Sequence, residues 1–347
     1  MSVKLKSPSV QRTSRTPWRS KRFTRTPITR SLGSVSYTGV STRSRSVRNR
    51  RSSIERTPEE KSFNGLVLKT WHVYRLSPLY KFSHETSALR NYSRMLSGHL
   101  EAEYNVGMAV ITENEKANMA VFSIVRGLQK SGREPEAIQI ELKQKPIRGD
   151  AEARTVYTAI LCCVGASDDV LEKVKQPFVL LPLMLSKGPV MLNRYLTSWL
   201  ECQFDCSVHA AHFSPLSLSW MVAIWVGSEA ESTKPVMLKY KVPSEVEGLD
   251  HITLNINSKD CKVLWDCIHS TEDKTCHKKE VVTFVQALEA HFYHHFQINI
   301  SAMPLCMIGT PIAVAESDGK IKIFTPEHVH QILGLVTEVI LETSIEL

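Results

Sequence analysis

The residues best suited to chemistry are histidines and cysteines in the last third of the chain. His291 and His295 stand four apart, with His294 beside them, a spacing that puts two imidazoles on one helix face as metal ligands. No Asp, Glu or Cys joins them at ligand spacing, so they read as a helix edge beside Phe292 and Phe296. Cys261, Cys267, Cys276 and His277 form a loose set, but their spacings miss the Cys pairs of structural zinc. Cys202 and Cys206 are a pair without a mate, read as small buried residues. Glycine-rich phosphate loops, a nucleophile elbow and a zinc-protease motif are all missing. The sequence therefore assigns no catalytic residue, no metal, no cofactor and no small-molecule substrate. An enzyme with an unrecognised site is the weakest of the readings.

Basic residues carry the second possible chemistry, neutralisation of phosphate. Residues 1–61 hold 16 Lys and Arg against three acids, a net of +13. The remaining 286 residues hold 27 bases and 32 acids, a net of −5, and the two parts give the overall +8. Arg43, Arg45, Arg48, Arg50 and Arg51 cluster as an import signal or nucleic-acid patch, because phosphate contacts release condensed counterions. Further candidates are Lys143, Lys145 and Arg148 after one strand, and Lys239 with Lys241 alternating on another. Thr16, Thr26 and Ser53 sit in proline-directed or basophilic contexts, where a phosphate would weaken the arginines' grip. The bland alternative for each group is ordinary solvated surface.

These groups need elements to position them. Residues 1–61 are charged and poor in large aliphatics, so a disordered basic tail is expected there. Its Arg/Ser/Thr richness also fits a mitochondrial transit peptide, although Pro8, Pro17 and Pro27 interrupt any long helix. No stretch is apolar over the length that spans a bilayer, and the eight cysteines read as reduced thiols of a cytosolic or nuclear chain.

Residues 62–347 read as an α+β body with antiparallel sheets and amphipathic helices. Leu66 to Leu76 is expected to be a helix. Ser87 is expected to cap another, with Leu89, Tyr92, Leu96 and Leu100 on one face. Gly107 to Ile111, Met119 to Val125, Ala137 to Leu142 and Thr155 to Val164 read as strands. A largely helical stretch should run from Leu171 to Cys202, and Leu218 to Val226 should pair with Val236 to Val242 as a hairpin.

Further on, Ile252 to Ile256 reads as a strand and Asp260 to His269 as a helix. Val281, Phe284, Val285, Leu288, Phe292 and Phe296 mark a long amphipathic helix. Ile298, Ile300 and Ala302 alternate as a strand, and Ile312 to Phe324 folds as a hairpin about Gly319. Thr325 and Pro326 open a last helix whose core face is Val329, Ile332, Leu333, Val336, Val339 and Ile340. Leu335 and Leu341 widen that apolar face, which suits a helix either deeply buried or covered by a partner chain.

Several short motifs then recur in order along the body. They include Trp71-His-Val-Tyr74 through Tyr80-Lys-Phe82, Glu134-Pro135-Glu136-Ala137, Cys162-Cys163-Val164, Phe204-Asp205-Cys206 and Leu218-Ser219-Trp220-Met221. Leu264-Trp265-Asp266 with His269, His291-Phe292 with His295-Phe296, and Asp318-Gly319-Lys320 complete the series. In these the body resembles the centromere protein L family, and the tail lies outside the resemblance. That resemblance implies a non-enzymatic kinetochore subunit of the constitutive centromere-associated network, in the nucleus at the centromere. Its implied partners are centromere protein N, other inner-kinetochore subunits, and centromeric nucleosomes and DNA. Pairing is expected through about residues 250–347, with Ile321, Ile323, Leu335 and Leu341 as interface candidates. The alternative is an RNA-processing factor, suggested by Ser41-Thr-Arg-Ser-Arg-Ser46, though the body lacks RRM and KH signatures.

Overall fold

Alternation at a period of two builds one antiparallel sheet that organises everything else. The structure is a computed structural model and describes residue 63 and residues 65–106, 119–144, 153–228, 233–269 and 275–345. The expected strand Gly107 to Ile111 lies outside the described residues.

The strands are β1 (Thr70–Leu76), β2 (Leu79–Tyr80), β3 (Met119–Val125), β4 (Ala137–Gln144), β5 (Arg154–Cys162), β6 (Phe178–Val179) and β7 (Leu183–Lys187). They continue as β8 (Val208–Ala210), β9 (Val236–Lys241), β10 (His251–Ile256), β11 (Leu305–Gly309), β12 (Ala313–Glu316) and β13 (Lys320–Ile323). The helices are α1 (Thr86–Val106), α2 (Asp168–Lys173), α3 (Val190–Phe204), α4 (Pro215–Gly227), α5 (Ser258–Ile268), α6 (Lys278–Phe296) and α7 (Val329–Ile345). The main sheet runs β10-β9-β11-β12-β13-β1-β7-β5-β4-β3, and β2 pairs with β6 apart from it. The α+β class with antiparallel sheets is the fold of the body.

Strand β1 is the centre of this order. One of its edges is held by β7, with His72 opposite Ser186 and Tyr74 opposite Met184. Its other edge is shared end to end by two strands: β13 opposite Thr70 to His72 and β8 opposite Tyr74 to Leu76. Gly319 sits at their junction. Its carbonyl accepts from Val73 N at 2.8 Å, its φ is +78°, and any Cβ there would land on the Ala211 carbonyl oxygen. Only glycine fits both demands.

Two cores flank the sheet. On one side α4, α5, α6 and α7 cover Trp71, Val73, Leu238, Ile308, Ala315, Ile321 and Ile323. On the other, α1 and α3 cover Phe122, Ile138, Ile140, Tyr157, Leu161 and Met184. That second core holds a cluster of rings from Phe82, Tyr92, Phe122, Trp199 and Phe204, with centroids 5.1–6.0 Å apart. Edge-to-face contacts of this kind add to the area they bury.

Four sequence expectations change. Leu66 to Leu76 is not a helix; its second half is β1, with Trp71 and Val73 in one core and Leu76 in the other. Leu218 to Val226 is no hairpin arm but the middle of α4, which starts at Pro215 after Ser214 accepts the Ser217 N–H at 3.0 Å. A helix apolar all round is a buried helix, and α4 lies between the sheet and α5, α6 and α7. The helical stretch from Leu171 to Cys202 is interrupted by β6 and β7; β7 is buried on both faces and so loses the alternation that marks a strand. Ile298 to Ala302 is a loop, because Gln297 at φ +56° ends α6 and the Met303 N–H closes a turn on the Ile300 carbonyl. The hairpin about Gly319, β10, α5, α6 and α7 stand where their patterns put them, although the core face of α6 ends at Phe292 and Phe296 is exposed.

Candidate nucleic-acid interface

The sheet has one face that its own helices cover only in part. Cross-strand pairing fixes a single row across ten strands: Thr253, Lys239, Met307, Glu316, Lys320, His72, Ser186, Ala159, Ile140 and Phe122. From Ser186 to Phe122 the row lies under α1 and α3 and is buried. From His72 to Thr253 nothing in the described residues buries it, and its side chains are exposed or half-exposed. A neighbouring row on the same bare half runs Asn255, Met237, Gly309, Val314, Lys322 and Thr70. Because side chains alternate across a sheet, the residues between these rows face the α4–α7 core instead.

Lysines dominate the bare half. Lys239 and Lys241, two of the sequence candidates, stand on β9 beside exposed His251 and Thr253 of β10. Lys322 and Lys234 lie over the Phe324 ring at 5.5 and 4.9 Å. Lys320 is neutralised within its hairpin, 2.6 Å from Asp318 and 3.8 Å from Glu316. Those two acids hold the Lys320 ammonium more firmly protonated than usual, chiefly through the Asp318 hydrogen bond. The net result is a surface of lysine point charges with few free carboxylates, which suits sugar-phosphate backbone rather than base edges.

The other sequence candidates are not gathered here. Lys143 sits on β4 and pairs with Glu141 of the same strand at 3.0 Å. Six strands separate β4 from β9, roughly 34 Å at the usual interstrand spacing. Arg43, Arg45, Arg48, Arg50, Arg51, Lys145, Arg148, Thr16, Thr26 and Ser53 lie outside the described residues. Ile321 and Ile323 are corrected as interface candidates: both are buried at 1% or less in the chain's own core, and the outward residues of β13 are Lys320 and Lys322. Leu335 is buried at the wall of a groove on the helical side, and Leu341 is half-buried on α7. The sequence reading missed Lys322, Lys234 and His72. The Lys-Ile-Lys-Ile alternation of β13 was the available signal for the first.

The former metal and thiol candidates sit elsewhere. His291, His294 and His295 form a surface cluster in edge-on contact, with the His291 and His295 rings 4.6 Å apart. Among the described residues no group of three His, Cys, Asp or Glu could hold a metal ion. Burial pushes the thiols of Cys163 and Cys261 up to about 12, leaving both protonated and unreactive. Among the described residues no helix is long and apolar enough to cross a membrane.

Two motif residues act as struts. The buried Glu134 carboxylate accepts Lys130 N and Gly165 N, each at 2.7 Å, and so ties two loops together. Trp265 packs edge-on to Phe284 and stacks with His269, whose Nδ1 lies 3.3 Å from Glu280.

Fold and site together define an α+β protein whose distinctive feature is a sheet face half sealed by helices and half bare and basic. A family model described as Centromere protein L matches residues 65–342, and the chain belongs to that family. Centromere protein L of Gallus gallus and of Homo sapiens are each 34% identical over 284 residues, covering 81% of this chain and 80% of theirs. That of Danio rerio is 31% identical over 278 residues, covering 79% of this chain and 75% of its own.

Proposed function

We propose that this chain is a non-enzymatic structural subunit of the inner kinetochore. It works in the nucleus at the centromere, pairs with centromere protein N, and holds centromeric DNA across the bare half of its sheet. The observation that carries this reading is the set of cross-strand rows on the bare half, with Lys239 and Lys322 in the two rows above and Lys241 in the next, opposite His251. Their spacing along a continuous sheet lets several phosphates be met at once, and each contact releases counterions.

Partner pairing is supported by the outer edge of β10. Val242 N–H donates to the Asp250 carbonyl, so the alternate residues His251, Thr253 and Asn255 turn their main-chain groups away from β9. Among the described residues no hydrogen bond meets those groups. A partner strand added there would lengthen the sheet and its basic face together.

The test is DNA binding by the complex with centromere protein N at several salt concentrations. Replacing Lys239, Lys241 and Lys322 with Gln should lower the slope of log affinity against log salt by about 2–3, near 0.9 per lost phosphate contact. An unchanged slope sinks the sheet-face reading. The same experiment with Arg43, Arg45, Arg48, Arg50 and Arg51 changed to Gln measures the share carried by the tail.

A further inference from the structure

On the opposite side of the sheet, helices α4, α5 and α7 enclose a groove of about 960 Å³. Its α7 wall runs from Gln331 to Glu342 and its α4 wall from Leu216 to Gly227. Each wall spans three helical turns, about 17 Å at 1.5 Å per residue. The interior is apolar: Trp220 and Ile224 face it from α4, Leu335 and Val339 from α7, and Trp265 from α5. None of these helices supplies a side chain that fills the space.

The charges around it are unevenly placed, with the carboxylates of Glu338 and Glu342 together on α7. Lys262 is already engaged, 3.1 Å from Asp266 and hydrogen-bonded to the Gly227 carbonyl at the end of α4. Glu338 and Glu342 lie one turn apart on the exposed rim of α7 and, among the described residues, neither has an ion pair. Partial desolvation in the groove wall and the neighbouring Glu342 carboxylate raise Glu338, an effect that Lys130 offsets only in part. Lys278 lines the groove from the start of α6, but the α7 rim itself carries only carboxylates, and the walls lack an apolar filler.

We infer that this groove receives a three-turn amphipathic helix of a partner chain, with an apolar stripe inward and Lys or Arg aligned on Glu338 and Glu342. Two helices flanking an apolar trough are the usual receptor for such a segment, read through anchors at i, i+3, i+4 and i+7. The site lies on the α4–α7 side of the sheet and none of its lining residues belongs to a strand, so it is distinct from the DNA and strand-pairing surfaces.

The probe is a fluorescein-labelled 14-residue helical peptide with a Leu/Ile stripe and Arg on one flank, titrated by anisotropy against the full chain. A twin carries Glu in place of each Arg. Changing both Glu338→Arg and Glu342→Arg should weaken the Arg peptide at least tenfold and strengthen the Glu twin. Leu216→Lys, at an exposed groove residue, should weaken the Arg peptide as well. Circular dichroism melts confirm that each variant stays folded. If charge reversal or Leu216→Lys leaves the Arg peptide's affinity unchanged in a folded variant, the groove is not its site and the inference is overturned. DNA binding by these variants should equal that of the parent chain, which separates this result from a failure of the sheet-face reading.

Discussion

Ile140 and Lys239 point to the same side of the same sheet, on strands near its opposite ends, yet one is sealed and the other is bare. The strands do not differ in kind; both halves are antiparallel and continuous in hydrogen bonding. What differs is whether a helix follows on that face. In the sealed half α1 lies against β3 and α3 lies against α1, and the face beneath them is Phe, Ile, Leu and Met. In the bare half all four later helices go to the other side, and the same face carries Lys, His, Thr and Asn, with Met237, Met307, Val314 and Glu316 between them. The edges follow the halves. At β3 the edge-facing N–H groups of Ala120 and Phe122 are capped by the hydroxyls of Ser97 and Ser93 at 2.9 and 3.0 Å. At β10 no such cap exists among the described residues. Closing an edge is a known protection against unwanted strand pairing, and leaving one open suits a strand partner.

This contrast can be tested from the sealed side inward. Trp199→Ala should cost about 3–5 kcal/mol in a urea melt, because it removes a buried ring from the cover of that half. A loss under about 1 kcal/mol would mean that the cover contributes little and that the halves differ only in composition. Gly319→Ala should cost about 1–3 kcal/mol through its positive φ, with the clash at Ala211 adding to it. Measured by the same melt, it shows how firmly β13 and β8 are joined along β1. Ser93→Ala combined with Ser97→Ala should cost about 1 kcal/mol for each lost bond and introduce concentration-dependent association by light scattering. Absence of association would show that α1 shields the edge without its hydroxyls. Lys322→Ala should move stability by no more than about 0.5 kcal/mol while lowering DNA affinity, the opposite balance to Trp199→Ala. Equal effects on both measurements would erase the distinction between the halves.

Much of this architecture is visible in the sequence where a segment has one wet face. Helix α6 shows its spacing through Val281, Phe284, Val285 and Leu288, and the β12–β13 hairpin shows itself through Gly319. Where both faces are buried the period vanishes. That is why β7 resembles a helix, and why the wholly apolar α4 resembles a strand. The site was half legible for a related reason. Lys239 and Lys241 alternate openly, but the same alternation in Lys320–Ile323 gives no indication of which set faces the core. Only the register with Trp71 and Ala315 decides that Ile321 turns inward. His72 and Lys320 become neighbours through a pairing across some 250 residues, which no local pattern carries.

The shared edge of β1 also sets a timetable for synthesis. A ribosome must release about 320 residues before the strand that began near residue 70 finds its partner β13. Until then the half containing α1 and α3 can assemble around β7, but β1 waits with part of one edge open. Long-range pairings of this kind are slow and leave strands available to wrong partners. A chain ending before residue 320 would keep that edge permanently, so early truncations should be cleared as misfolded protein rather than persist as a working first half.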